Sequence, residues 1–83
     1  MHVLYFAGAR DAAGDLREEN ILLSNPISLN ELGKMLVERH PQLLGILDIC
    51  VISVNLQITN WNNMDLRIQN ADEVALIPPV SGG

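Results

Sequence analysis

The chain has 83 residues, nearly half of them apolar, which is enough for one folded domain with a single core and argues against disorder. Ten acidic residues against five basic ones leave a formal charge of -5, which repels nucleic acid and anionic membrane surfaces. No apolar run approaches the roughly 20 residues of a bilayer span, and MHVLYFAGARDAAG lacks the pattern of a signal peptide, so a cytosolic protein is expected.

HVLYFA, 2–7, is rich in β-branched and aromatic residues and closes at Gly8, which predicts a first strand with both faces largely covered. GARDAAGD, 8–15, carries turn residues at both ends and predicts a loop with at most one helical turn. EENILLS, 18–24, predicts a second strand pairing back on the first, and its polar beginning suggests an edge.

SLNELGKMLVERHP is the clearest local signal. Ser28 and Glu31 have the spacing of a capping box, and Leu29, Leu32, Leu36 and Val37 share one helical face while Asn30, Lys34 and Glu38 face water. Pro41 cannot continue the hydrogen-bond ladder, so the helix should stop near His40, whose side chain is expected at the terminal carbonyls. Gly33 costs about 1 kcal/mol inside a helix, and close packing against the sheet is the expected compensation.

QLLGILD, 42–48, is open between a short second helix and a turn. CVISVN, 50–55, reads as a buried strand, and LQITNWNN after it as turn-rich and exposed. MDLRIQ, 64–69, alternates Met64, Leu66 and Ile68 with polar residues, as a short half-buried strand does, and EVALIP, 73–78, follows the turn at 70–72 as the last strand. The order ββαβββ, a mixed sheet of about five strands with one main helix on one face, makes a two-layer α+β domain spanning 1–83, with a flexible tail at 78–83.

The side chains offer little catalytic chemistry. His2, His40 and Cys50 are the soft metal ligands and no two have ligand spacing, so no metal site is expected. Cys50 reads as a small buried residue with no disulfide partner, in keeping with a reducing compartment. Asp72 and Glu73 are adjacent and point to opposite faces of a strand, and Gly8 and Gly14 form no phosphate loop.

The tail is different. Pro78 and Pro79 hold the chain extended as a stiff spacer, and Val80, Ser81, Gly82 and Gly83 add up to about 13 Å of reach at roughly 3.3 Å per residue. Glycines without Cβ pass through a narrow channel, and the Gly83 α-carboxylate, ionised at neutral pH, is a nucleophile for the α-phosphate of ATP. The acyl adenylate so formed is open to a thiol, sulfide or amine, and needs no catalytic side chain from this chain. A terminal Gly-Gly pair arises by chance in roughly one chain in 200, so the argument rests equally on the strand and the Pro-Pro spacer before it.

DEVALIPPVSGG, 72–83, closely resembles the C-terminal signature of the small, sulfur-carrying molybdopterin synthase subunits, a ubiquitin-like β-grasp family. VLYFAGARDAAG, 3–14, resembles that family's first strand and following loop, and SVN, 53–55, its central strand; the similarity runs the whole length. Ala71, where the family usually has glycine, departs from the pattern, and ITNWNNMD matches no family pattern.

The resemblance implies that an E1-like enzyme adenylates Gly83, that a sulfur donor makes its thiocarboxylate, and that sulfur passes to a cyclic pterin monophosphate on a large subunit holding the catalytic side chains. It implies a heterotetramer, ATP consumed but no cofactor held, and docking through Phe6 and Ile77, for which a place in the core is the alternative. Two other functions stay open: a ubiquitin-like modifier or a carrier for thiamine or tRNA thiolation, and a plain interaction domain. Lys34, the only lysine, is a residue open to modification.

Overall fold

A computed structural model describes residues 1–79 of the chain. The strands are β1 (His2–Tyr5), β2 (Glu18–Asn20), β3 (Val51–Val54), β4 (Gln57–Thr59) and β5 (Glu73–Ile77); the helices are α1 (Ala7–Ala12) and α2 (Leu29–Arg39), followed by 3-10 turns at Pro41–Gly45 and Leu47–Ile49. The strands form one mixed sheet in the order β2-β1-β5-β3-β4, with β1 and β5 parallel at its centre and β2 at an edge. This two-layer α+β arrangement is the β-grasp fold that the resemblance implied.

The core follows from period-two alternation meeting period-3.6 alternation. Val3, Tyr5, Ile52, Val74 and Leu76 project from one face of the sheet, and Leu29, Leu32 and Leu36 of α2 close over them, all buried. The capping box starts α2 as the sequence implies: the Ser28 hydroxyl accepts from the Glu31 amide and the Glu31 carboxylate accepts from the Ser28 amide, both at 3.1 Å. These bonds also hold the Glu31 carboxyl below its ordinary pKa.

Several expectations are corrected. β1 ends at Tyr5, and only its inner residues Val3 and Tyr5 are covered, whereas His2 and Leu4 are half-buried. The helix α1 starts at Ala7, the last residue of the expected strand, and runs on to Ala12 through the segment expected to be a loop with at most one turn; Ala9 and Ala13 are buried there, and Gly8 lies where a Cβ would come within 2.8 Å of Ile46 Cδ1. β2 covers only Glu18–Asn20 of the expected 18–24, because beyond Ile21 the chain leaves β1 for Asn70, whose side-chain amide bonds both the Leu23 amide (2.7 Å) and carbonyl (2.8 Å).

The expected strand at 64–69 is reduced to a single bridge, Ile27 to Ile68. Met64 is exposed, the Asn63 side chain accepts from the Asp65 amide, and Arg67 Nη1 donates to the Met64 and Leu66 carbonyls, so local polar bonds curl the segment. The fifth strand is instead β4, inside the stretch read as turn-rich; a two-residue turn at Asn55–Leu56 folds it back on β3. Residues 42–48 form neither an α-helix nor a simple turn but parts of two 3-10 turns.

Gly33 packs not on the sheet but beneath Leu47 and Trp61: a Cβ there would lie 3.3 Å from Leu47 Cδ2 and 3.8 Å from the indole. The His40 side chain is not at the helix carbonyls either. Its Nε2 donates to Glu19 Oε1 at 2.7 Å, and the same carboxylate accepts from the Tyr5 hydroxyl (2.6 Å) and Arg39 (2.9 Å), tying β1, β2 and the end of α2 together.

Candidate functional site

The site has two parts, the exit of the C-terminal segment and the sheet face beside it. Alternation along β5 buries Val74 and Leu76 under α2, so Glu73, Ala75 and Ile77 face the other way. The registers then assemble two rows on that open face. Leu4, Ala75, Ser53 and Ile58 lie across the sheet in one row. Ile77 pairs with Val51 in the next, and Phe6 completes it, since its amide continues the β1–β5 ladder to the Leu76 carbonyl at 3.2 Å.

Phe6 and Ile77, expected as contact residues with the core as the alternative, are therefore brought together and lie outside the core, 46% and 37% exposed. Phe6 has already left β1. It is the N-cap residue of α1, and Ala7 after it sits at φ 47°, in the left-handed region that costs a non-glycine residue free energy. That bend starts α1 while Phe6 stays on the sheet face.

Sequence reasoning missed Val51 and Ile58, which are 42% and 74% exposed on the same face. CVISVN reads as a strand buried throughout, which hides Val51, and LQITNWNN reads as turn-rich, which hides Ile58. Recognising Asn55–Leu56 as a hairpin turn would have placed both, because the register then puts Ile58 opposite Ser53. Phe6, Ile77 and Val51 in one row, with Ile58 in the row beside it on the edge strand β4, put four exposed apolar side chains on an uncovered sheet face, the kind of surface patch that marks protein contact.

The exit follows directly. Pro78 is buried, continuing the inner-face alternation of Val74 and Leu76, and Pro79 is exposed. The spacer expected from both prolines thus has one of them, Pro78, set in the body. The tail residues Val80, Ser81, Gly82 and Gly83 lie outside the described residues.

The remaining polar residues are structural. Asp72 accepts from the Asn55 side chain (2.9 Å) and the Gln69 amide (2.7 Å), which lowers its pKa and joins the β3–β4 turn to the start of β5. Glu73 is paired with His2 at 3.3 Å. Burial pushes the Cys50 thiol up, the opposite of what a reactive thiolate requires. Among the described residues no three His, Cys, Asp or Glu side chains gather as a metal site, and no helix is long and apolar enough to cross a membrane.

Comparison with known proteins adds to this geometry. The model of the ThiS family matches residues 3–83. The human molybdopterin synthase sulfur carrier subunit is 34% identical over 83 residues, covering 100% of this chain and 93% of that protein. In solved structures, SAMP1 from Haloferax volcanii matches with a TM-score of 0.81 at 25% identity, covering 100% of this chain and 98% of the other. A chain in the complex of subunits 1 and 2 of the molybdopterin-converting factor from Helicobacter pylori shares the fold, with a TM-score of 0.67 at 23% identity over 99% of this chain and 96% of its own. With a family match that runs from the third residue to the last, on a β-grasp sheet that leaves one face open beside its exit strand, this chain belongs to the ThiS family.

Proposed function

We propose that the chain is the sulfur carrier subunit of a molybdopterin synthase in the cytosol. The observation that carries this reading is the row of Phe6, Ile77 and Val51, exposed on the open face at the end of the sheet where β5 terminates, with Ile58 in the adjoining row. A partner seated on the patch receives the tail.

The Gly83 carboxylate attacks the α-phosphate of ATP on an E1-like enzyme and pyrophosphate leaves. A sulfur nucleophile then displaces AMP to give the thiocarboxylate. The charged carrier docks through the patch on a large subunit, in a heterotetramer; its sulfur bonds to a cyclic pterin monophosphate, and water then cleaves the acyl carbon–sulfur bond, leaving the sulfur on the pterin and returning the Gly83 carboxylate. The chain's own contribution is positional: the sheet fixes the patch and the buried Pro78 anchors the exit. The chain is a co-substrate, and the large subunit supplies the catalytic side chains.

Intact mass after incubation with the activating enzyme, ATP and a sulfur donor tests the proposal. The expected result is one oxygen-for-sulfur exchange in the whole chain and none in a variant lacking Gly83 or extended by one residue. Conjugates on lysine would favour a modifier. An unchanged mass, with the enzyme active on another carrier, would leave only a docking module.

A further inference from the structure

On the helical layer, across the sheet from the patch, a groove of about 830 Å³ runs between α2 and the Asn60–Asn62 segment. Its volume is in the range of ligand-binding clefts. The sulfur-carrying reading assigns it no role.

Trp61 forms one wall. Its indole N–H donates inward to the Cys50 carbonyl at 3.1 Å, which fixes the ring and spends its polar atom, and the six-membered edge rests over Gly33. Val37 and the exposed Leu44 add apolar lining. The rim is polar and more acidic than basic. Glu38 and Asp48 lie along it, neither in an ion pair among the described residues, against the single cation Lys34. Asn30 and Asn62 carry side-chain amides at the rim that bond no described residue, while Asn60 Oδ1 accepts from the Asn62 backbone amide at 3.0 Å and the Asn60 side-chain NH₂ donates to no described residue.

These groups suit one kind of occupant. A fixed indole face attracts a cation and packs its alkyl stem, carboxylates at the rim bind the charged end, and side-chain amides both donate to and accept from an extended backbone. The net charge of -5 steers a basic segment toward the surface. We propose that this groove binds an extended, basic peptide segment of a partner protein, with a lysine or arginine stem on Trp61 and its cation at Glu38 and Asp48. Because the groove and the patch are on opposite faces, both can be occupied at once.

The test uses the full chain and a blocked pentapeptide, Ala-Lys-Leu-Lys-Ala, with versions carrying glutamine or glutamate in place of lysine. Trp61 is the only tryptophan, so its fluorescence reports the groove alone. The lysine peptide is expected to give a saturable change, to bind at least tenfold more tightly than the glutamine peptide, and to shift the Trp61 indole and the Asn30 and Asn62 amide resonances. The Glu38→Gln, Asp48→Asn double variant changes two exposed residues and should keep its circular dichroism while binding at least tenfold more weakly. The proposal is overturned by no saturable change up to about 1 mM, the weak end of specific recognition, by lysine and glutamine peptides binding alike, by unaltered affinity of the double variant, or by shifts confined to Phe6, Ile77 and Val51. Thiocarboxylate formation by the double variant should be unchanged, so failure here is distinct from failure of the sulfur-carrying reading.

Discussion

Phe6 and Ile77 sit side by side one step past the last paired residues of the central parallel strands, where Tyr5 pairs with Leu76. They are neighbours in space although 70 residues separate them in the chain. Replacing either with aspartate puts a charge on the open face without disturbing the core. The expected outcome is unfolding within about 0.5 kcal/mol of the parent, as for other surface changes, and docking on the large subunit weakened about 30-fold or more, the scale of a contact worth about 2 kcal/mol. Calorimetric titration beside a denaturant curve checks both; loss of docking with equal loss of stability would return Phe6 to the core.

Ile58 should behave as Phe6 does, although it lies on a different strand. Ile58→Asp is expected to weaken docking about tenfold or more, as for a contact of about 1.4 kcal/mol, with the fold intact. Unchanged affinity would confine the contact to the Phe6 and Ile77 end of the sheet.

Glu19 joins three elements, and its titration should show in the stability curve. Burial pushes its carboxyl up, but hydrogen bonds from Arg39, Tyr5 and His40 outweigh that and hold it at about 2, below the ordinary 4.5. A depressed carboxyl stabilises the fold above the unfolded-state value and loses that contribution as pH falls from near 4.5 toward 2. Stability measured by denaturation should fall over that interval, and Glu19→Gln should flatten the fall while costing about 1–3 kcal/mol at pH 7. An unaltered pH slope in the variant would assign the fall to other carboxylates.

The hairpin turn stores strain that can be relieved. Leu56 is 90% exposed and held at φ 69°, next to Asn55 at φ 51°, a pair of left-handed residues for which asparagine then glycine is the favoured sequence. Leu56→Gly should stabilise the domain by about 0.5–1 kcal/mol, since the native conformation costs leucine more than it costs glycine. A thermal melt decides it, and a loss of stability would mean that Leu56 makes a contact worth more than the strain.

Ser28→Ala removes the capping hydroxyl and should cost about 1 kcal/mol. Ser28→Asp, which restores an acceptor, should recover most of it. Failure of aspartate to rescue would show that the hydroxyl acts other than through the Glu31 amide.

Some of this molecule was legible residue by residue. The extent of α2 is local chemistry, because the Ser28 and Glu31 bonds span three residues and Pro41 stops any ladder. Other features depend on what each segment meets. MDLRIQ has the alternation of a strand but lies where only Ile68 reaches a partner, whereas QIT, too short to announce itself, becomes β4 because the Asn55–Leu56 turn returns it to β3. His40 turns from the helix end to Glu19 because β2 brings a carboxylate to it. The exposed apolar patch shows the division most directly. The sequence by itself determined that Phe6, Val51, Ile58 and Ile77 are apolar; their exposure together at the tail's root was decided by strand register and by a helix that covers only one face of the sheet.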